Sequence, residues 1–141
     1  MNHNRTVAVI GASGFIGKAL VQRLLDQSYR VVAYSRQPLG QVASDRITWR
    51  ALGDWQWQGI DVIVNLAGER IDQRWTEQKK RQFEESRVGL TGQIAQSLMQ
   101  LEHPPSLWIN ASAVGYYGDR GDEILNENST PGNGYLVDLC V

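Results

Sequence analysis

The sequence predicts an open α/β fold: a doubly wound parallel sheet, strand order 3-2-1-4-5, with helices on both faces. Three observations predict it. An apolar run, Val7-Ala8-Val9-Ile10, passes through a glycine-rich turn, Gly11 to Gly17, into a segment with Ala19, Leu20, Leu24 and Leu25 at helical spacing. Val31-Val32-Ala33 and Val62-Ile63-Val64 are unbroken apolar runs, the pattern of parallel strands covered on both faces. Strand-like and helix-like segments alternate, which implies right-handed crossovers within one sheet.

Taken in order, the first strand spans Thr6–Ile10 and the first helix Phe15–Gln27. The second strand is Arg30–Ser35, the third Ile47–Ala51 and the fourth Asp61–Leu66. A long helix over Glu77–Leu101 carries Phe83, Leu90, Ile94, Leu98 and Leu101 near one face. Gly89 and Gly92 inside it either permit close packing on the sheet or interrupt the helix. Pro104-Pro105 ends the segment before a fifth strand, Ser106–Ala111. The Gly115–Gly134 loop is long, and its five glycines fit either a substrate lid or a disordered connection.

With 141 residues the chain has the size of one domain, residues 1–141, able to bury a substantial core. Its 42% hydrophobic and 21% charged residues are ordinary for a soluble globular protein. A formal net charge of −1 gives no electrostatic footprint for nucleic acid or a membrane surface. No apolar run approaches a membrane span, and the N-terminus lacks the stretch of a signal peptide. Cys140 is the only cysteine, so no intrachain disulfide forms, and a reducing cytoplasm is the expected location. The five Trp residues, 49, 55, 57, 75 and 108, are expected as packing anchors. The sequence offers no metal-ligand cluster.

The turn Gly11-Ala12-Ser13-Gly14-Phe15-Ile16-Gly17 sits between strand and helix, where a dinucleotide-binding fingerprint belongs. Gly11 allows the tight turn, Gly14 lets the backbone approach a pyrophosphate, and Gly17 lets the helix pack close to the sheet. The helix N-terminus offers N–H groups and partial positive charge to the phosphates. The GxxGxxG spacing resembles the extended short-chain dehydrogenase/reductases. The second strand ends in Ser35-Arg36, with no Asp or Glu between Asp26 and Asp45. An acidic residue there would accept from a ribose 2′-OH; Arg36 instead suits a 2′-phosphate, with Ser35 as a further donor. This favours NADP over NAD; the other reading of Arg36 is a solvated surface charge. The fourth strand ends in Asn65-Leu66-Ala67-Gly68-Glu69, whose small residues let backbone lie beside a ribose and nicotinamide.

That strand end, together with Arg74-Trp75-Thr76, Lys79, Ser86-Arg87-Val88 with Thr91, and Ser112-Ala113-Val114-Gly115-Tyr116-Tyr117-Gly118-Asp119, resembles one group over essentially the whole chain. The group is the atypical extended short-chain dehydrogenase/reductases, an NADP-binding, sugar-nucleotide-epimerase-like family. Some of its members carry the label of cell-division inhibitor. The resemblance implies a Rossmann domain followed by a smaller C-terminal substrate domain, which this chain would lack. It implies that Gly11 to Gly17 hold the pyrophosphate, that Ser35 and Arg36 hold the 2′-phosphate, and that Leu66 and Ala67, beside Gly68 and Glu69, line the cofactor. Arg87 would reach the cofactor across the sheet edge; the other reading is a surface ion pair with Glu84 or Glu85. A sheet ending at the fifth strand leads to the expectation of marginal stability or a homodimer formed through the exposed edge.

The usual Tyr/Lys catalytic pair is not evident. Tyr135 is followed four residues later by Leu139, and the register of the extended family puts Leu136 and Cys140 at those positions. Ser112 stands near the usual Ser; a shift of one residue would put Ala113 there. Tyr116, Tyr117, Asp138 and Cys140 are weaker substitutes, and His3 and His103 lie at the opposite end of the strands. The expected function is therefore an NADP-binding domain of a reductase or epimerase acting on a small molecule. The rival is a non-catalytic NADP(H)-sensing module that engages a protein partner.

Overall fold

The computed structural model describes residues 5–37 and 44–141, so His3 lies outside the described residues. Strands β1 (Thr6–Ile10), β2 (Arg30–Ser35), β3 (Ile47–Ala51), β4 (Val62–Asn65) and β5 (Leu107–Asn110) form one parallel sheet. Its order is β3-β2-β1-β4-β5, as the alternation of elements implied. Val7 lies opposite Val31 on one side and Val62 on the other; Ile10 lies opposite Tyr34 and Asn65. β4 and β5 are each one residue shorter at both ends than their apolar patterns suggest. Their flanks still pair: the Asp61 N–H donates to the Thr6 carbonyl (3.0 Å), Leu66 to Ile10 (2.8 Å) and Ala111 to Asn65 (2.9 Å).

Alternation along β1 divides the core. Ala8 and Ile10 face one side with Tyr34, Ile63, Leu90 and Ile94, while Val7 and Val9 face the other with Val21, Val31 and Ala33. Helix α1 (Phe15–Asp26) covers the second face through Val21, Leu20, Leu24 and Leu25. On the first face Trp57 is buried, and its indole N–H donates to the Ser97 hydroxyl at 2.8 Å. Trp55 stacks on it at 5.3 Å, and both rings pack against Tyr34. These tryptophans are anchors, as their pattern suggested. The Tyr34 hydroxyl accepts from the Gln56 N–H (3.0 Å) and donates to the Gln56 carbonyl (3.2 Å), so the end of β2 is tied to the segment before β4.

The long helix is not continuous. Helix α2 (Glu77–Glu84) starts at Thr76, whose hydroxyl accepts from the Lys79 N–H. A π-helical turn follows over Glu85–Gly89, and helix α3 (Leu90–Leu98) completes the segment. Local chemistry accounts for the break: the Ser86 hydroxyl donates to the Phe83 carbonyl at 3.0 Å, competing with the backbone ladder, and Gly89 has low helix propensity. Gly92 serves no close packing, since an added Cβ would meet nothing within 4 Å.

The segment after β5 is folded upon itself rather than a disordered connection. It opens with a 3₁₀ turn, Val114–Tyr117. The Gly132 N–H donates to the Tyr116 carbonyl (3.0 Å), Tyr117 donates to the Asn126 carbonyl (3.1 Å), and Arg120 pairs with Glu123 at 2.8 Å. A short helix α4 (Tyr135–Asp138) then brings Tyr135 edge-on to Trp75 at 5.6 Å. Among the described residues, no helix is long and apolar enough to cross a membrane.

Candidate functional site

The carboxyl ends of β1, β2 and β4 meet where α1 begins. Gly14 caps α1 without a side chain, and no acidic residue stands in its first turn. The first N–H groups of the helix and its partial positive charge are left for a ligand. Gly11 adopts φ +81°, in the left-handed region, and an added Cβ would come within 2.9 Å of the Ala67 nitrogen and the Leu66 carbonyl carbon. At Gly17 a Cβ would run into the Gly11 carbonyl. The turn, the helix and the loop after β4 are thus packed backbone to backbone. The N–H groups of Gly11 and Ala12 both donate to the Tyr34 carbonyl, at 3.0 and 3.2 Å. The Ser13 and Ser35 hydroxyls share a hydrogen bond of 2.7 Å, which joins the turn to the end of β2.

These contacts frame a cleft of about 560 Å³, within the usual range for a small-molecule site. Gly11, Ser13, Gly14, Ser35, Arg36, Leu66, Ala67, Gly68 and Glu69 all line it. The other residues of the turn have different positions. Ala12 and Gly17 are buried beneath it, whereas the Phe15 and Ile16 side chains are exposed and do not line the cleft. They offer a ligand backbone N–H groups only. Leu52, Lys79, Gln82 and Ser86 also line the cleft and were not singled out as site residues from the sequence. Lys79 and Ser86 stood inside the motifs that carried the family resemblance; Leu52 and Gln82 gave no signal.

Charge in the cleft centres on Glu69. Its carboxylate pairs with Arg36 (3.1 Å) and Lys79 (3.7 Å) and accepts from the Gln73 amide (3.2 Å). The Gln73 amide, Arg36 and Lys79 hold the Glu69 carboxyl below the usual carboxylate range, against an opposing effect of partial burial. The Glu69 backbone is gripped as well. Its N–H donates to the Ser86 hydroxyl (2.9 Å), and its carbonyl accepts from the Arg87 guanidinium (3.0 Å). Successive residues of a regular α-helix point about 100° apart; from the π turn, Ser86 and Arg87 both reach the backbone of Glu69. Arg87 therefore clamps the β4 loop: its guanidinium donates to the Glu69 carbonyl and, at 3.3 Å, to the Ser86 hydroxyl, and not to Glu84 or Glu85.

A second cleft of about 440 Å³ adjoins the first, sharing Leu66, Ala67 and Gly68. Arg87, Thr91, Asn110, Ser112 and Cys140 line it. Asn65, one of two buried polar residues among the described residues, orders its floor: its side-chain amide donates to Asn110 Oδ1 (2.7 Å) and its Oδ1 accepts from the Ala67 N–H (3.2 Å). Neither Tyr nor Lys lines this cleft. The Tyr135 hydroxyl donates to the Lys80 carbonyl at 3.0 Å, and burial, then the Glu84 charge, pushes its phenol up, the reverse of activation. Tyr116 and Tyr117 pack edge to face at 5.1 Å, Asp138 is exposed, and none of the three lines either cleft. Leu136 packs beside Gly115, away from Ser112.

Comparison with known proteins decides the family: the description of the NAD dependent epimerase/dehydratase family matches residues 7–137. The chain belongs to that family. Within it, the chain is 35% identical to the chloroplastic epimerase family protein SDR39U1 homolog of Arabidopsis thaliana, over 96% of this chain and 42% of that protein. It is 36% identical to the epimerase family protein SDR39U1 of Mus musculus, over 90% of this chain and 43% of that one. The crystal structure of human SDR39U1 (isoform 2) with NADPH superposes with a TM-score of 0.79 at 29% identity, covering 95% of this chain and 45% of the human chain. The chain thus spans less than half the length of these relatives. The sheet order and the glycine turn place it among the Rossmann-like epimerase folds, the group its motifs resembled.

Proposed function

We propose that this chain binds NADP(H) and forms the cofactor-binding half of an epimerase-like or oxidoreductase protein acting on a small molecule. One observation carries the reading. A single cleft combines an uncapped helix N-terminus, a backbone-packed glycine turn and the Arg36 guanidinium beside Ser13 and Ser35. The close backbone approaches at Gly11 and Gly17 leave a cradle that a dinucleotide backbone fits. The turn would hold the diphosphate and Arg36 the 2′-monoester, while Leu66, Ala67 and Gly68 line the path toward the second cleft. The NADPH bound to human SDR39U1 supports the same choice of cofactor. When bound, the nicotinamide supplies a hydride donor or acceptor; the protein's part is to fix its position and screen it from water.

Calorimetric titration of the chain with NADP⁺ and NAD⁺ tests the reading. NADP⁺ is expected to bind more tightly, and Arg36→Ala to remove about 1.5–3 kcal/mol of that affinity, roughly ten- to a hundredfold, while leaving NAD⁺ little changed. Equal affinities for the two cofactors, or no heat with either, would overturn it. A second reading, an NADP(H) sensor without turnover that engages a protein partner, is favoured by the second cleft, where Ser112 has Cys140 and Arg87 as neighbours and no phenol. Cofactor oxidation by the full-length protein with carbonyl compounds or nucleotide sugars supports the enzyme. Tight NADPH binding without turnover supports the sensor. The single cysteine fits a reducing compartment, and association through β5, where Leu107 and Ile109 are about half exposed, is part of the same proposal.

A further inference from the structure

The cation assigned to the 2′-phosphate already has an anion. Arg36 Nη1 reaches Glu69 Oε2 at 3.1 Å, so the pair spans the cleft from the end of β2 to the loop after β4. The two partners are held very differently. The Arg36 side chain is 78% exposed, and among the described residues its one side-chain hydrogen bond is to Glu69. The Glu69 side chain is 19% exposed; its other oxygen is held by Gln73 and Lys79, and the Glu69 backbone N–H and carbonyl by Ser86 and Arg87. A well-held carboxylate thus faces an exposed guanidinium.

Resting on the NADP(H) reading, we propose that Glu69 is an internal stand-in for the 2′-phosphate and sets how sharply the cleft discriminates between phosphorylated and unphosphorylated dinucleotides. Arg36 exchanges Glu69 for the monoester, so part of the phosphate's attraction is spent on breaking the resident pair. Glu69 then remains as a like charge near the phosphate, and Lys79, on α2, screens it. Lys79 is therefore a positioning residue that acts through Glu69 rather than on the ligand. The same exchange opens the cleft, because the bridge across it parts when a second anion takes Arg36.

Binding of 2′,5′-ADP and 5′-AMP to the full chain isolates the contribution of the 2′-phosphate. Glu69→Gln is expected to raise the preference for 2′,5′-ADP by about three- to fivefold, the scale of an exposed ion pair. Lys79→Met is expected to lower that preference by a similar factor of about three to five in the native background, and to leave it unchanged when Glu69→Gln is also present. The proposal is overturned if Glu69→Gln leaves the preference unchanged or lowers it. It is overturned equally if Lys79→Met weakens 2′,5′-ADP in both backgrounds, which would put Lys79 on the phosphate. A native chain with no preference for 2′,5′-ADP would instead remove the NADP(H) reading itself, and the proposal with it.

Discussion

The two adjoining clefts share the loop after β4 but are built unlike one another. The first is framed by backbone, a left-handed glycine and an uncapped helix end, beside a carboxylate held by three side chains. The second is made of side chains around Ser112, among which Arg87 and Asn110 are already engaged with neighbours and neither Tyr nor Lys takes part. The difference teaches that the two clefts suit different tasks. The first gathers the features that suit a dinucleotide, whereas among the described residues neither Tyr nor Lys lines the second beside Ser112.

Four perturbations break or sharpen this contrast. Gly17→Val has the largest expected effect, because its Cβ would displace the Gly11 carbonyl that α1 packs against. Overpacking of this kind costs about 1–3 kcal/mol, which urea unfolding measures, and cofactor binding should fall below detection. Arg87→Met comes next. Removing the guanidinium leaves the Glu69 carbonyl without its donor, at a cost of about 1–3 kcal/mol, and should weaken NADP⁺ while also lowering the unfolding midpoint; Arg87→Lys should recover part of both.

The third perturbation is pH. The Glu69 carboxyl is depressed in the folded chain, so its stabilising contribution is present above the ordinary carboxylate pKa, about 4.3, and is lost as pH falls through the lower folded value. The stability gap between the native chain and Glu69→Gln should be within about 1 kcal/mol at neutral pH and close as the solution is acidified. A gap that widens on acidification would have the wrong sign. The smallest effect is expected from Ser112→Ala, which should leave NADP⁺ affinity within about twofold, the scale of an ordinary surface change. A loss larger than Arg36→Ala would invert the assignment of the two clefts.

What the sequence revealed follows the range of the forces involved. The β1 turn was legible because its geometry is local: Gly11, Gly14 and Gly17 sit between an apolar strand and an apolar helix face. Arg36 was legible as a cation at a strand end, but its partner lies 33 residues away in the chain, on a different strand's loop. Only the β2-β1-β4 order brings the two together. An interruption at Gly89 was one of two readings of the sequence, but the π turn itself was not legible, because the Ser86 hydroxyl donates to the Phe83 carbonyl and accepts from the Glu69 N–H, and periodicity carries no trace of either bond. Arg87 was recognised as unusual by resemblance, yet its clamp on Glu69 depends on that turn. Ser112 was located by the end of β5, while the identity of its neighbours depended on how the segment after β5 folds back.

The most direct test follows the amide and guanidinium signals of the ¹⁵N-labelled chain during titration with NADP⁺. The account predicts the largest shifts at the N–H groups of Gly11 to Gly17 and at the Arg36 side chain, with the Glu69 amide moving as its partner leaves. Shifts confined to the surroundings of Ser112, with the glycine turn and Arg36 unmoved, would contradict it.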